Sequence, residues 1–207
     1  MSKRLAAVVL AAGFSRRYGE VSKLHAMLAG RPVLACALAP LATLSLQTCW
    51  VVSAPEDLAA MALATAAGAS CVAHAGRADG LGSSLARGIR ALVGELDGVL
   101  VVLGDMPRIT PAVYRTLIDA FEDLDNTAIV QPSWAGRGGH PVLFGAEYLA
   151  ELATLDGDQG ARAVLLKHAA RVVKLDCGEP GVLLDIDTPA DLARALEPAP
   201  EATQVNR

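Results

Sequence analysis

One segment near the start of the chain combines small and basic residues directly after an apolar run. The run ends at Leu10 and is followed by Ala11, Ala12 and Gly13, and then by a segment that contains Arg17 and Lys23. Small residues let backbone N–H groups approach a ligand closely, and guanidinium and ammonium groups neutralise phosphate oxygens. The segment matches neither GxxxxGK[ST] nor GxGxxG. It predicts a loop that holds a phosphorylated ligand, with a solvated turn as the alternative.

Two aspartates also follow strand-like segments. Asp105 comes after the apolar run 98–103 and precedes Pro107, which fits a metal-binding carboxylate at the rim of a sheet. Asp187 lies in Leu-Asp-Ile-Asp-Thr-Pro, and an extended backbone there would point Asp185 and Asp187 the same way. The alternatives are a turn aspartate at the first position and a helix cap at the second.

Glycine-rich segments supply three further candidates. Gly80 opens a helical segment that contains Ser84, where unpaired N–H groups suit a base carbonyl, ribose or phosphate, unless the neighbouring serine only caps the helix. The loop 134–141 carries Arg137 and His140 and could close over a second substrate. The turn 156–162 is similar, with a helix cap by an aspartate as the simpler interpretation.

The elements that must position these residues alternate along the chain. Short apolar, partly β-branched runs predict strands at 4–10, 48–52, 70–73, 98–103, 128–131, 141–144 and 172–175. Segments rich in Ala and Leu predict helices at 32–44, 55–67, 83–93, 111–124, 146–152, 161–168 and 189–196. Thr110 and Thr188 each precede a proline as expected N-caps. This order favours an α/β sandwich with a mainly parallel central sheet, in which ligands bind at the carboxyl ends of the strands.

Composition narrows the class of protein. The chain has 207 residues, of which 53% are apolar and 4% aromatic, and its net charge of -4 comes without a basic patch. We therefore expect a small-molecule partner and neither nucleic acid nor a membrane. No signal peptide is visible and no apolar run reaches the ~18 residues of a membrane span, so we expect a cytoplasmic protein. The four cysteines form no CxxC pair, and we expect reduced thiols.

The domain organisation is expected to be simple. The chain shows no internal repeat and no low-complexity linker. We predict one domain over residues 1–196. The polar residues 197–207 contain two prolines and no apolar period, and we expect a disordered tail there.

Six motifs in chain order resemble one known family. They are LAAGFSRRYG with Lys23, GLGSSLARGI, LGDMP, GRGGHPVLF, GDQGAR and LDIDTPADL. Together they look like the molybdenum cofactor cytidylyltransferases, within the nucleotidyltransferase superfamily that also holds the guanylyltransferase of molybdenum cofactor synthesis. The resemblance implies a three-layer α/β/α, Rossmann-like fold of the nucleotide-diphospho-sugar transferase type. It also implies CTP and Mg2+ as cosubstrate and metal, and molybdenum-bound molybdopterin as acceptor.

The resemblance also assigns roles to residues. It implies that residues 10–13 form the nucleotide loop, that Gly80 and Ser84 contact the base or ribose, and that Arg137 and His140 lie near the acceptor. Arg17, Lys23 and Asp105 are the implied catalytic residues and also contact the nucleotide, and Asp105 and Asp187 are the implied magnesium ligands. The turn 156–162 matches a segment that faces the second substrate. Guanylyl enzymes of this kind typically have Gly where this chain has Ala12, which favours cytosine.

Other functions stay open at this point. Related chains include nucleotidyltransferases for sugar or alcohol phosphates, enzymes that use GTP, and nicotinamide-dependent oxidoreductases that act on small heterocycles. A non-catalytic carrier of the cofactor is a further alternative. The resemblance also suggests that the product passes to an apo molybdoenzyme of the xanthine dehydrogenase type or to its chaperone. Release of pyrophosphate from CTP would separate the transferase from the oxidoreductase.

Overall fold

The structure is a computed structural model that describes residues 2–13, 18, 22–75 and 80–197. Its strands are β1 (Leu5–Ala11), β2 (Met27–Leu28), β3 (Arg31–Pro32), β4 (Thr48–Ser53), β5 (Ser70–Ala73), β6 (Gly98–Leu103), β7 (Ile129–Trp134), β8 (Arg137–Gly138), β9 (Val142–Gly145) and β10 (Val172–Asp176). Its helices are α1 (Val33–Leu38), α2 (Leu58–Ala66), α3 (Leu81–Ala91), α4 (Pro111–Glu122), α5 (Leu149–Leu152), α6 (Arg162–Lys167) and α7 (Pro189–Leu196). In the described part of the chain, no helix is long and apolar enough to cross a membrane.

The main sheet has the order β10-β7-β9-β6-β1-β4-β5, and β8 pairs with β7. β1 lies between β6 and β4 and is parallel to both, β5 is parallel to β4, and β10 is parallel to β7. β9 is antiparallel to β6 and β7. The carboxyl ends of β1 and β6 therefore lie side by side at one edge. The predicted α/β sandwich with a mainly parallel sheet is confirmed.

The centre of the sheet is buried on both faces. All seven residues of β1 are buried, and their side chains alternate between two apolar clusters. The first cluster includes Leu34, Ala60 and Phe121 from α1, α2 and α4, and the second includes Leu85 and Val164 from α3 and α6. Because successive side chains of a strand point to opposite faces, this alternation requires a helical layer on each side. The result is the three-layer arrangement.

The predicted elements are confirmed, while several of their ends differ from expectation. α1 ends at Leu38 and not at 44, because Pro40 lacks the N–H and clashes with the turn before it. α2 begins after Asp57, whose side chain accepts a hydrogen bond from the Ala60 N–H. Thr110 is the N-cap residue of α4, as predicted, but the expected capping bond from its hydroxyl is wrong, since the hydroxyl donates to Glu179 Oε1 at 2.8 Å. The short strands β2, β3 and β8 were not predicted.

Candidate active site

The side chain of Lys23 lies between those of Asp105 and Asp187. Its Nζ atom is 2.6 Å from Asp105 Oδ2 and 2.6 Å from Asp187 Oδ1. The Lys23 side chain is only 12% exposed, whereas the two carboxylates are 20% and 35% exposed. Coulomb attraction is stronger in such a partly desolvated setting than between surface charges. The structure thus brings together three residues that the sequence assigned separately to phosphate and metal binding.

The position of Asp105 depends on a close turn after β6. The N–H of Gly104 donates to the Leu10 carbonyl at 2.9 Å, and a Cβ atom at Gly104 would lie 3.0 Å from that oxygen and 3.1 Å from Leu34 Cδ1. Glycine therefore lets this turn lie against the end of β1. The Asp105 carbonyl in turn accepts a hydrogen bond from the Ile186 N–H at 2.9 Å, which holds the segment of Asp187 beside it.

Asp187 is held by the start of α7. Asp191 Oδ2 accepts hydrogen bonds from the N–H groups of Asp187 and Thr188 and from the Thr188 hydroxyl, at 3.1, 2.6 and 2.8 Å. Thr188 and Asp191 form a complete capping box, so the cap predicted at Thr188 is confirmed. Pro189 takes the first helical position, where no N–H is needed. The cap thereby fixes the backbone from which the Asp187 carboxylate projects.

Burial and the charges of the cluster formed by Lys23, Asp105 and Asp187 shift the pKa values of Lys23 and Asp185. Burial acts to lower the pKa of Lys23, but the hydrogen bonds and charges of Asp105 and Asp187 outweigh it, and the pKa is raised above its ordinary value. Lys23 is therefore a cation at neutral pH. Burial, and then the charges of Asp105 and Asp187, raise the pKa of Asp185.

A cavity of about 210 Å3 opens beside this cluster. It is lined by Leu10, Ala11, Ala12, Gly13, Lys23, Leu24, Gly80, Leu81, Ser84, Leu103, Asp105 and Asp158. These include every described residue of the predicted nucleotide site, namely Leu10, Ala11, Ala12, Gly13, Lys23, Gly80, Ser84 and Asp105. Arg17, the other residue of that prediction, lies outside the described residues. Segments from the end of β1, the start of α3 and the end of β6 thus converge on one space.

The turn 156–158 reaches this cavity because it packs on the glycine-rich start of α3. A Cβ atom at Gly80, whose φ is +98°, would lie 2.4 Å from the Gly157 backbone, and one at Gly82 would lie 2.6 Å from the Asp156 carbonyl oxygen. The Gly82 N–H donates to the Gly157 carbonyl at 2.7 Å. Asp158 lines the cavity of about 210 Å3, which we call the nucleotide-side cavity because the residues predicted to bind nucleotide line it. The expectation that this turn faces the second substrate stays a prediction. An aspartate in a glycine-rich turn was the available signal, and the sequence interpretation treated it as a possible helix cap.

A second and larger cavity, of about 1030 Å3, lies against the segments that follow Asp105 and precede Asp187. Four arginines line it: Arg31, Arg108, Arg137 and Arg194. Trp134 and three carboxylates, Glu179, Asp185 and Glu197, also line it. Of these residues, the sequence interpretation singled out Arg137 as an acceptor residue. The four guanidinium groups exceed the carboxylates by one, and guanidinium groups together with an indole ring suit an anionic ligand that has a planar part.

His140 lines neither of these two cavities. Its backbone N–H donates to the Val182 carbonyl at 2.9 Å, and its Nδ1 atom is buried with no hydrogen-bond partner among the described residues. Burial lowers the pKa of the imidazole, which the Val101 backbone and the charge of Asp185 only partly oppose. The ring is therefore neutral at neutral pH.

The two carboxylates of the cluster have the donor chemistry of a Mg2+ or Mn2+ site. Their oxygens both lie 2.6 Å from one nitrogen, so they are at most twice that distance apart, and oxygen ligands bind Mg2+ at about 2.1 Å. The described residues contain no group of three or more His, Cys, Asp or Glu side chains that could hold a metal. A pair of carboxylates is nevertheless the usual protein share of a magnesium site whose other ligands are phosphates and water. The residues present fit such an ion.

Solved structures of similar shape include nucleotidyltransferases. Rv0371c from Mycobacterium tuberculosis is 28% identical, with a TM-score of 0.78, and the match covers 96% of this chain and 100% of Rv0371c. The structure of its manganese complex is 27% identical, with a TM-score of 0.74, and the match covers 93% of this chain and 98% of that one. A nucleotidyl transferase from Methanothermobacter is 25% identical with a TM-score of 0.77 over 92% and 95%. The 4-diphosphocytidyl-2C-methyl-D-erythritol synthase of Anaerococcus prevotii, at 17% identity and a TM-score of 0.72 over 94% and 95%, shares the fold.

A protein-family model matches most of the chain, whereas no curated protein matches it. The model of the MobA-like NTP transferase domain matches residues 7–172, which include the end of β1, Lys23, the start of α3 and Asp105. The match covers most of the chain and agrees with the nucleotidyltransferase resemblance of the six motifs. The chain therefore belongs to the family of MobA-like NTP transferase domains and is a nucleotidyltransferase.

Proposed function

We propose that this nucleotidyltransferase transfers CMP from CTP to the terminal phosphate of molybdenum-bound molybdopterin and forms the cytosine dinucleotide of the cofactor. An oxygen of the acceptor phosphate attacks the α-phosphorus of CTP, the bond to the β-phosphate breaks, and pyrophosphate leaves. The observation that carries the proposal is the convergence of residues 10–13, Gly80 and Ser84 on one cavity, beside the cluster of Lys23, Asp105 and Asp187.

Catalysis in this scheme rests on positioning and on neutralising charge, since no covalent bond to the protein is needed. Lys23 would hold phosphate oxygens with its ammonium group, and Arg17 would contribute a second cation. Backbone N–H groups of residues 11–13 and at the start of α3 can lie close to the nucleotide, because small side chains leave them accessible. These groups stabilise the negative charge that builds up on the phosphates in the transition state.

Asp105 and Asp187 would hold a divalent ion, and the proposal names Mg2+. The manganese complex of the mycobacterial relative supports a divalent cation in proteins of this shape. When bound, the ion would polarise phosphate oxygens and offset their charge. Asp191 would keep Asp187 oriented through its hydrogen bonds to the Asp187 and Thr188 N–H groups.

The acceptor would occupy the cavity of about 1030 Å3. Arg137 lines it and is available for the acceptor phosphate, and Trp134 offers a ring on which a planar heterocycle can stack. His140 lies in the same loop as Arg137 but does not line this cavity, so the proposal places it near the acceptor, behind the cavity-lining residues. Delivery of the product to an apo molybdoenzyme of the xanthine dehydrogenase type, or to its chaperone, belongs to the same proposal.

In this proposal, the choice between CTP and GTP depends on Ala12, the residue that follows β1. Ala12 lines the nucleotide-side cavity and is 2% exposed, so a change of one methyl group there alters a packed wall. The contribution of one methyl group to discrimination between bases is about 1–3 kcal/mol. Because the guanylyl enzymes that this chain resembles typically have Gly at this position, we expect a preference for CTP over GTP to which Ala12 contributes.

One assay tests the proposed function. Purified protein is offered CTP, GTP or ATP with Mg2+ and molybdenum-loaded molybdopterin, and pyrophosphate release is followed. We expect release that depends on the acceptor and is fastest with CTP. Faster release with GTP would contradict the base assignment, and release only with a sugar or alcohol phosphate would contradict the acceptor. Oxidation of a reduced nicotinamide without pyrophosphate release would contradict nucleotidyl transfer itself.

A further inference from the structure

Lys23 makes two contacts that a phosphate-binding lysine does not need. Its Nζ atom lies 2.6 Å from one oxygen of each of two carboxylates, and the Lys23 side chain is 12% exposed. Each contact is a charge-assisted hydrogen bond, and such bonds are about twice as strong as neutral ones. The lysine thus neutralises the pair of acidic groups to which the proposed function assigns the metal.

The ammonium group and a divalent ion cannot both occupy this pair of oxygens. An ion bound at about 2.1 Å to either oxygen would lie less than about 5 Å from Nζ, where two cations repel strongly in a partly desolvated site. The ion would also compete for the carboxylate lone pairs that Lys23 uses. Metal binding through these two oxygens therefore requires the ammonium group to move away.

We propose that Lys23 is an internal counter-ion that occupies the metal position between Asp105 and Asp187 until nucleotide phosphates draw it away. The proposal rests on the proposed function, because it takes a triphosphate as the ligand that withdraws the lysine. Lys23 also lines the nucleotide-side cavity, so a phosphate in that cavity lies within reach of the same side chain. The pair of carboxylates then becomes available to metal only when nucleotide is present, which couples the two ligands.

The test measures metal binding without any turnover. Mn2+ is titrated into nucleotide-free protein, and the free ion is quantified by electron paramagnetic resonance. We expect Lys23→Met to bind Mn2+ about tenfold more tightly than the unmodified protein, since the metal no longer displaces two charge-assisted hydrogen bonds. Lys23→Arg keeps the charge and should bind as weakly as the unmodified protein. Lys23→Gln gives the same comparison if the methionine variant does not fold.

Two matched variants identify the origin of the gain. Lys167→Met also removes one positive charge, from a lysine that pairs with Glu151 and lines neither cavity, and should leave Mn2+ affinity unchanged. Adding Asp187→Asn to Lys23→Met should abolish the gain. Equal or weaker Mn2+ binding by both Lys23→Met and Lys23→Gln, or an equal gain in Lys167→Met, would overturn the proposal.

The outcome separates this proposal from the proposed function. If the unmodified protein releases pyrophosphate but the Lys23 variants gain no Mn2+ affinity, the counter-ion role is wrong and nucleotidyl transfer stands. If the variants gain affinity while the unmodified protein turns over no nucleotide, Lys23 occupies the metal position, but the proposed function and the withdrawal of the lysine by a substrate triphosphate are both wrong. A non-hydrolysable CTP analogue should raise Mn2+ affinity more in the unmodified protein than in Lys23→Met, because part of that coupling passes through the lysine.

Discussion

Among single residues, Asp105 makes two separate contacts. Its backbone carbonyl ties the segment before α7 to the end of β6, whereas its carboxylate faces Lys23. Asp105→Asn preserves the size and the backbone while it removes the charge. Loss of one preorganised electrostatic contact lowers kcat by about 10²–10³-fold, and we expect an effect of this size on nucleotidyl transfer.

A matched variant checks the specificity of that effect. Asp119→Asn removes the same charge from an exposed position of α4 and should retain native turnover. Initial rates of pyrophosphate release at saturating CTP and Mg2+ give the comparison. Native kcat in Asp105→Asn would remove this carboxylate from the catalytic assignment.

His140 gives a prediction for the pH dependence of stability. Burial lowers the pKa of this imidazole in the folded protein, whereas the ordinary pKa of histidine is about 6.5. As the pH falls below that value, the unfolded chain takes up the proton before the folded chain does, so the free energy of unfolding decreases. We expect this decrease between about pH 7 and 5 to be smaller in His140→Gln, as measured by urea unfolding.

A second histidine variant controls for the loss of an imidazole as such. His168→Gln removes a different imidazole ring, whose Nε2 atom lies 2.8 Å from Glu151 Oε2. We expect this variant to keep the part of the pH dependence that His140 causes. An unchanged pH profile in His140→Gln would show that burial of this ring does not control stability in that range.

At the scale of elements, α3 is the helix that brings Gly80 and Ser84 to the nucleotide-side cavity. It lies close to the sheet because Gly88 has no side chain: a Cβ atom there would lie 2.4 Å from Val8 Cγ1 and 2.8 Å from Val52 Cγ2. Both valines are fully buried in strands and have stiff side chains. The helix must therefore shift if residue 88 becomes larger.

Gly88→Ala tests this packing. Alanine favours helix by about 1 kcal/mol, but overpacking of a buried site costs about 1–3 kcal/mol, and the short distance to Val8 favours the second effect. We expect a lower free energy of unfolding in chemical denaturation and a higher KM for CTP. Arg90→Ala, at an exposed position of the same helix, should change neither quantity appreciably. A more stable Gly88→Ala variant would mean that α3 does not need this close contact.

At the scale of the whole molecule, the sequence predicted the fold well because each main strand is a short apolar run between helical segments. The apolar run 98–103 and β6 (Gly98–Leu103) coincide, and the antiparallel β9 still matches a predicted strand. Strand order and direction could not be predicted, because they depend on contacts between distant segments. β8 was missed because two residues, Arg137 and Gly138, carry no pattern.

The candidate site was predictable where a residue follows a strand, and less so elsewhere. Ala12 and Asp105 follow β1 and β6, so their convergence could be inferred from the parallel sheet. The contact of Lys23 with both carboxylates could not, because it joins residues 82 and 164 positions apart through side chains alone. Arg108 and Arg194 were missed as cavity residues because exposed arginines are common and only the folded chain brings these two to one space.

The two cavities have no lining residue in common, and this division predicts how kinetic effects separate. Arg137 lines only the larger cavity and Ser84 only the smaller one.

Arg137→Ala should raise the KM for the proposed molybdopterin acceptor by about tenfold, the value of one lost charge-assisted hydrogen bond, and leave the KM for CTP unchanged. Ser84→Ala should raise the KM for CTP and leave that for the acceptor unchanged. Initial rates with each substrate varied at saturating levels of the other measure both constants, and equal effects of either variant on both KM values would contradict a division into separate nucleotide and acceptor sites.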